Sequence, residues 1–93
     1  PNPFARRCAL TFELTAAARV NLGIYTLSGR KIRSMELDCP DAGRFAFDWD
    51  GRDEDGDEIA NGTYLYRVRA DFDEEGLRRR EHQGALVKMA SNP

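Results

Sequence analysis

Asp53, Glu54, Asp55, Asp57 and Glu58 crowd six consecutive positions inside WDGRDEDGDEIANGTY, which runs from Trp49 to Tyr64. Carboxylates at that density can hold a divalent cation, dock a basic partner, or keep a chain reversal wet. A helix–loop–helix calcium loop places oxygen ligands at alternate positions, a glycine at the sixth and a bidentate acid at the twelfth. With Gly56 at the sixth position, Asp53 and Asp55 take the third and fifth, but Gly51 and Gly62 occupy the first and twelfth. With Gly51 at the sixth, Asp48, Asp50 and Asp57 fit, but Ala46 stands first, and Asp48 and Asp50 share the face of a predicted strand opposite Phe47 and Trp49. Neither register makes that loop. A cation would need an irregular site, and the expectation is no metal and no cofactor.

The turn reading explains more of the segment. Asp50-Gly51, Asp55-Gly56 and Asn61-Gly62 are dipeptides that supply the positive φ values of tight turns. Acidic side chains bond the amides of their own loop and keep it solvated. Arg52, Arg67 and Arg69, close in sequence, are expected to offset the repulsion, and Ile59 to plug the loop onto the sheet edge.

Other reactive side chains are few. His82 is the single histidine and sits in RRREHQG, with no nucleophile placed for it by any motif. The expectation is no catalytic residue and no enzyme activity. Arg78, Arg79 and Arg80 follow Asp71, Asp73, Glu74 and Glu75 across Gly76, as in a hairpin with cross-strand charge pairs. Phe45, Phe47, Trp49, Tyr64 and Tyr66 could form a sugar platform, but their spacing of two reads as core; the Trp49 indole, at a strand end, needs water or a backbone carbonyl for its N–H. Cys8 and Cys39 leave two readings: a disulfide worth roughly 3 kcal/mol on the chain-entropy account, or two buried thiols acting as small hydrophobes.

The elements that must position these residues repeat with a period of two. CALTFEL puts Cys8, Leu10, Phe12 and Leu14 on one face; RVNLGIY does so with Val20, Leu22 and Ile24; RFAFDWD with Phe45, Phe47 and Trp49; TYLYRVRA with Tyr64, Tyr66, Val68 and Ala70. KIRSMEL changes phase between Ile32 and Met35, which predicts a bulge. QGALVKM closes the chain with Ala85, Val87 and Met89 read as inward. Short one-faced strands separated by turn signals predict an all-β fold, an antiparallel Ig-like β-sandwich of six to seven strands. ELTAAARV contains helix formers but is too short, lying between two alternating runs.

Ninety-three residues suit a single domain, residues 1–93. Fourteen Lys and Arg against sixteen Asp and Glu give a net charge of −2, which offers nucleic acid and anionic membranes nothing to bind. No apolar run approaches the ~20 residues of a membrane span, so membrane insertion is not expected. The chain opens at Pro1 without an initiator Met, which reads as a piece or processed product of a larger protein.

WDGRDEDGDEIANGTYLYRVRA resembles the strand–loop–strand signature of Ig-like domains related to the flagellar hook-capping protein, at Trp49, Asp50, Gly51, Asp53, Gly56, Gly62, Tyr64, Tyr66 and Arg67. PNPF at the start, VNLGIYTLSGRKIRSM in the middle and ALVKM near the end are similar to the flanking motifs of that group. The resemblance implies a non-catalytic C-terminal module of a secreted bacterial protein, outside the cell or on its surface and reached through the periplasm. Many relatives of this kind are type IX secretion sorting domains. On that reading the sorting-motif positions are Pro1, Asn2, Pro3, Gly62, Tyr64 and Lys88, and the partners are the secretion machinery or neighbouring protein domains. Two alternatives stand beside it: a structural spacer or assembly domain, as in a hook cap or surface filament, and an accessory calcium- or glycan-binding domain of an extracellular enzyme. One departure from the sorting pattern is that Lys88 is followed by Met89 and then by polar ASNP, where such domains usually close with an apolar strand.

Overall fold

The computed structural model describes residues 8–72 and 78–88. Six strands account for the alternating segments: β1 (Cys8–Leu14), β2 (Ala18–Tyr25), β3 (Lys31–Cys39), β4 (Gly43–Trp49), β5 (Gly62–Asp71) and β6 (Arg79–Lys88). They form two antiparallel sheets, β1-β4 and β3-β2-β5-β6. The segment ELTAAARV makes no helix; Thr15, Ala16 and Ala17 turn β1 into β2.

The period-two faces meet as the inside of an Ig-like β-sandwich. Cys8 pairs with Trp49, Leu10 with Phe47 and Phe12 with Phe45, so β1 and β4 present one apolar surface. The Phe12 ring lies 6.0 Å from Phe45 and 5.5 Å from Phe47, within the range of favourable aromatic contact. The larger sheet answers with Val20, Leu22 and Ile24, paired with Ala70, Val68 and Tyr66. Val20, Ile24 and Trp49 are completely buried. Side chains of this kind contribute about 1.5–3 kcal/mol each on burial. A folded unit of about this length buries only roughly 60–65% of its unfolded surface, so each of these side chains counts.

The predicted bulge falls at Ile32. Ile24 faces Arg33 while Tyr25 faces Lys31, leaving Ile32 as the extra residue on β3. The last strand departs from expectation. Leu86, not Ala85 or Val87, is its buried residue, because Leu86 pairs with inward-facing Tyr64 while Ala85 and Val87 pair with Leu65 and Thr63 on the outer face. Met89 lies outside the described residues.

The cysteines do not pair. Cys8 sits beside Trp49 at one end of the sandwich, and Cys39 beside Ala18 at the other. The six-residue step from Cys8 to Leu14 along β1 is about 20 Å of extended chain, well beyond the separation a disulfide spans. Neither cysteine is in a disulfide, and both are buried. Burial pushes both up from their ordinary value, with the neighbouring Asp38 charge adding to the effect at Cys39.

Candidate functional site

One end of the sandwich gathers the acidic connection between β4 and β5, the β2–β3 hairpin turn, the start of β5 and the close of β6. The pairings Tyr25–Leu65, Leu65–Ala85 and Gly62–Lys88 bring these ends together. A backbone bond from the Glu54 amide to Ile32 O sets the acidic connection against the open edge of β3, and an Arg52–Glu58 bridge folds the connection back on itself.

The connection is built from its own polar groups. Asp53 Oδ1 accepts the amides of Asp55 at 2.9 Å and Asp57 at 3.0 Å, while the Asp53 amide donates to the Asp57 carbonyl at 2.9 Å. Gly51 and Gly56 supply φ of 76° and 86°, the left-handed backbone that the two Asp-Gly turns require. Ile59 packs against the core and donates its amide to Gly51 O, so it plugs the loop as expected. Carboxylate oxygens of Asp53, Asp55 and Asp57 come within 4.8 Å of one another. Asp53 Oδ1 is already shared by two amides, and Asp55 and Asp57 are exposed.

The Arg52 carbonyl is the pivot that joins this loop to the core. It accepts the indole N–H of buried Trp49 at 3.0 Å and Arg33 Nη1 at 2.8 Å. Arg33 Nη1 also donates to Asp50 Oδ1 at 3.0 Å, and the Arg52 amide donates to the same oxygen at 3.1 Å. Partial burial pushes the Asp50 carboxyl up, but the Arg52 amide and the Arg33 guanidinium outweigh it and hold the group below its ordinary value. Charge compensation here comes from Arg33 and Arg52, the latter also donating to Gly56 O at 2.9 Å. Arg67 and Arg69 do not take the part expected of them: both face out from β5, Arg69 towards Asp71 and Arg67 over the Tyr25 ring. Sequence reading missed Arg33 because its partners are 17 and 19 residues away. The phase change around Ile32 was the available signal, since the bulge aligns Arg33 with inward-facing Ile24.

Three of the six sorting-motif positions are brought together. Gly62 stands opposite Lys88, and Tyr64 lies two residues along β5, opposite Leu86. Pro1, Asn2 and Pro3 lie outside the described residues. The Tyr64 hydroxyl donates to the Ala60 carbonyl at 2.7 Å, four residues upstream, in the manner of the tyrosine corner of Ig-like sandwiches. The aromatic set imagined as a sugar platform is interior: Phe47 and Trp49 are buried, and Phe45, Tyr64 and Tyr66 pack against them. His82 is exposed, with its ring 5.9 Å from Tyr66, and makes no hydrogen bond to a serine, cysteine or aspartate among the described residues. The expected hairpin pairing holds where it is described: Arg79 Nε reaches Asp71 Oδ1 at 3.0 Å. Asp73, Glu74 and Glu75 lie outside the described residues.

Residues 5–74 match the FlgD Ig-like domain family. The chain belongs to that family. The FlgD Ig-like fold extends past the matched span, because solved FlgD structures align with most of the chain. FlgD from Xanthomonas campestris, solved for insight into the hook capping essential for flagellar assembly, superposes with a TM-score of 0.69 at 23% identity, covering 92% of this chain and 58% of that one. FlgD from P. aeruginosa gives a TM-score of 0.70 at 23% identity, covering 87% and 60%. At this identity the likeness concerns the fold alone, and the chain spans less than two thirds of either FlgD structure. A C5a peptidase of Streptococcus pyogenes is 71% identical over 21 residues, which is 23% of this chain and 2% of that protein. The FlgD match ends before β6, so Lys88 falls beyond it.

Proposed function

We propose that this FlgD-type Ig-like domain is a non-catalytic structural module that helps assemble a larger bacterial protein outside the cytoplasm, in contact with neighbouring protein domains. The observation that carries the reading is the family match over residues 5–74, joined to whole-fold likeness to hook-capping FlgD. The candidate site agrees with it. The polar groups best placed for chemistry, on Asp50, Asp53, Trp49 and Tyr64, are engaged with backbone and hold the loop rigid. Among the described residues no helix is long and apolar enough to cross a membrane. A rigid sandwich with a fixed loop at one end suits a spacer or docking block.

Type IX sorting is the second reading, favoured by the approach of Gly62, Tyr64 and Lys88 at one end. It ranks lower because Tyr64 already has a structural task and Lys88 lies outside the family match. Deleting the domain from its parent protein separates the two. An assembly module, once removed, leaves export intact and abolishes incorporation of the parent into its surface structure. Retention of the truncated parent in the periplasm, together with export of a passenger fused to residues 1–93 in a host with type IX secretion, would replace assembly with sorting.

A further inference from the structure

On the outer face of the four-stranded sheet, at the same end as the acidic connection, lies an open groove of about 450 Å³ lined by Tyr25, Gly29, Leu65, Arg67, Gln83 and Ala85. The register explains it. Tyr25, Leu65 and Ala85 form one cross-strand row and Gly23, Arg67 and Gln83 the next. Gly23 leaves the space in which the Tyr25 ring lies flat, since a Cβ there would stand 2.7–2.9 Å from the ring atoms. Leu65 is the apolar floor and is 38% exposed. Arg67 lines the groove, and Lys31 stands beside it over the Tyr25 ring. Arg19, Arg33, Arg44, Arg69 and Arg79 each reach a carboxylate. Arg67 and Lys31 make no ion pair among the described residues; they lie over the Tyr25 ring, 5.6 and 5.7 Å from its centre. Two cations without a carboxylate partner among the described residues thus stand close to an exposed apolar floor.

We propose that this groove is a docking site for an extended acidic peptide segment of another protein, with apolar residues between its carboxylates. Carboxylates pair with Arg67 and Lys31, which already have a shared, ordered position over Tyr25. The apolar residues cover Leu65 and Ala85, and Gln83 offers both an amide donor and an acceptor to an extended backbone. A nucleic acid is disfavoured because two cations fall far short of the row of basic side chains a phosphate backbone takes, and a glycan by the Tyr25 ring, which Gly23 and the two cations already cover. The proposal deepens the assembly reading and rests on it. The two fail separately, because the groove can prove empty while the parent still requires the domain to assemble.

Fluorescence anisotropy of the 93-residue chain with a labelled octapeptide of Asp, Glu, Leu and Phe tests the site, with an octapeptide of Lys, Arg, Leu and Phe as control. Saturable binding is expected for the acidic probe only. Arg67→Glu should weaken it about tenfold or more, and raising salt from about 0.05 to about 0.5 M several-fold. Arg67→Gln supports the reading if it weakens binding less than Arg67→Glu, with both variants melting like the wild type. Arg44→Glu, on the other sheet, should leave binding unchanged. Equal binding of the basic probe, indifference to Arg67→Glu, or binding of a polyuronate in place of the acidic peptide would each overturn the proposal. So would concentration-dependent self-association that Arg67→Glu abolishes, since a second copy would then be the occupant.

Discussion

If Asp53 is a strut for its own loop, then what matters at position 53 is one side-chain oxygen and not a charge. Asp53→Ala removes an acceptor that takes two amides, at 2.9 and 3.0 Å. Each such bond contributes about 0.5–1.5 kcal/mol net, and loss of a capping side chain at a helix start costs a similar 0.5–2 kcal/mol. Asp55 and Asp57 are exposed, so their freed amides can turn to water and escape the full penalty of an unmet buried donor. The expected loss is therefore about 1–2 kcal/mol, and at 4–8 °C per kcal/mol for a domain of this size the Tm falls by roughly 4–16 °C. Asp53→Asn keeps the oxygen and should stay within about 0.5 kcal/mol of the wild type. Calorimetry with and without calcium completes the test. A cation held by Asp53, Asp55 and Asp57 would stabilise the native state by about 2.7 kcal/mol at a hundredfold excess over Kd, a rise in Tm of more than about 10 °C. No rise is expected. Equal damage from Asn and Ala, or a calcium-dependent rise that Asp53→Asn removes, would refute the strut and restore the metal reading.

Tyr64→Phe deletes the 2.7 Å bond to Ala60 O and should cost about 1 kcal/mol in chemical denaturation at unchanged m-value. Cys8 and Cys39 should resist iodoacetamide under native conditions and react on global unfolding, since burial both shields them and disfavours the thiolate; rapid native labelling, or loss of both free thiols on isolation without reductant, would contradict the fold. Asp50 has a folded pKa below its ordinary 3.8, so the unfolded chain binds more protons in the intervening range. Its contribution should be complete above about pH 5 and fade as pH falls below the ordinary value through the folded one. The stability difference between wild type and Asp50→Asn, followed by denaturant melts from neutral to acid pH, should be flat and then shrink; a difference that grows on acidification would show the opposite linkage.

Most of the architecture could be read in the chain because alternation is a local property. Val20, Leu22 and Ile24 declare their face without knowledge of their partners, and the break around Ile32 announced its own bulge. β6 was misread for the same reason. Ala85, Leu86 and Val87 are all apolar, so the inward phase is undecided within the strand, and only the pairing of Leu86 with Tyr64 settles it. The acidic connection was legible as a turn from its Asp-Gly pairs, but its attachment was not. Arg33, the Arg52 carbonyl and the Trp49 indole converge from different strands, and sequence spacing carries no information about such meetings. Two cysteines likewise pose a question that only topology can close, by setting Cys8 and Cys39 at opposite ends.

That topology has a mechanical side. Cys8 and Lys88 lie at the same pole of the sandwich, so tension applied between them pulls across the strands instead of along them. Ladder bonds run perpendicular to antiparallel strands, and such a load breaks them rung by rung, like a zip, where a pull along the strands would strain the whole row at once. Gripped at those two points the fold should yield softly; with one grip kept at Lys88 and the other moved to the far pole, near Leu14, the load would run along the strands and meet much stiffer resistance.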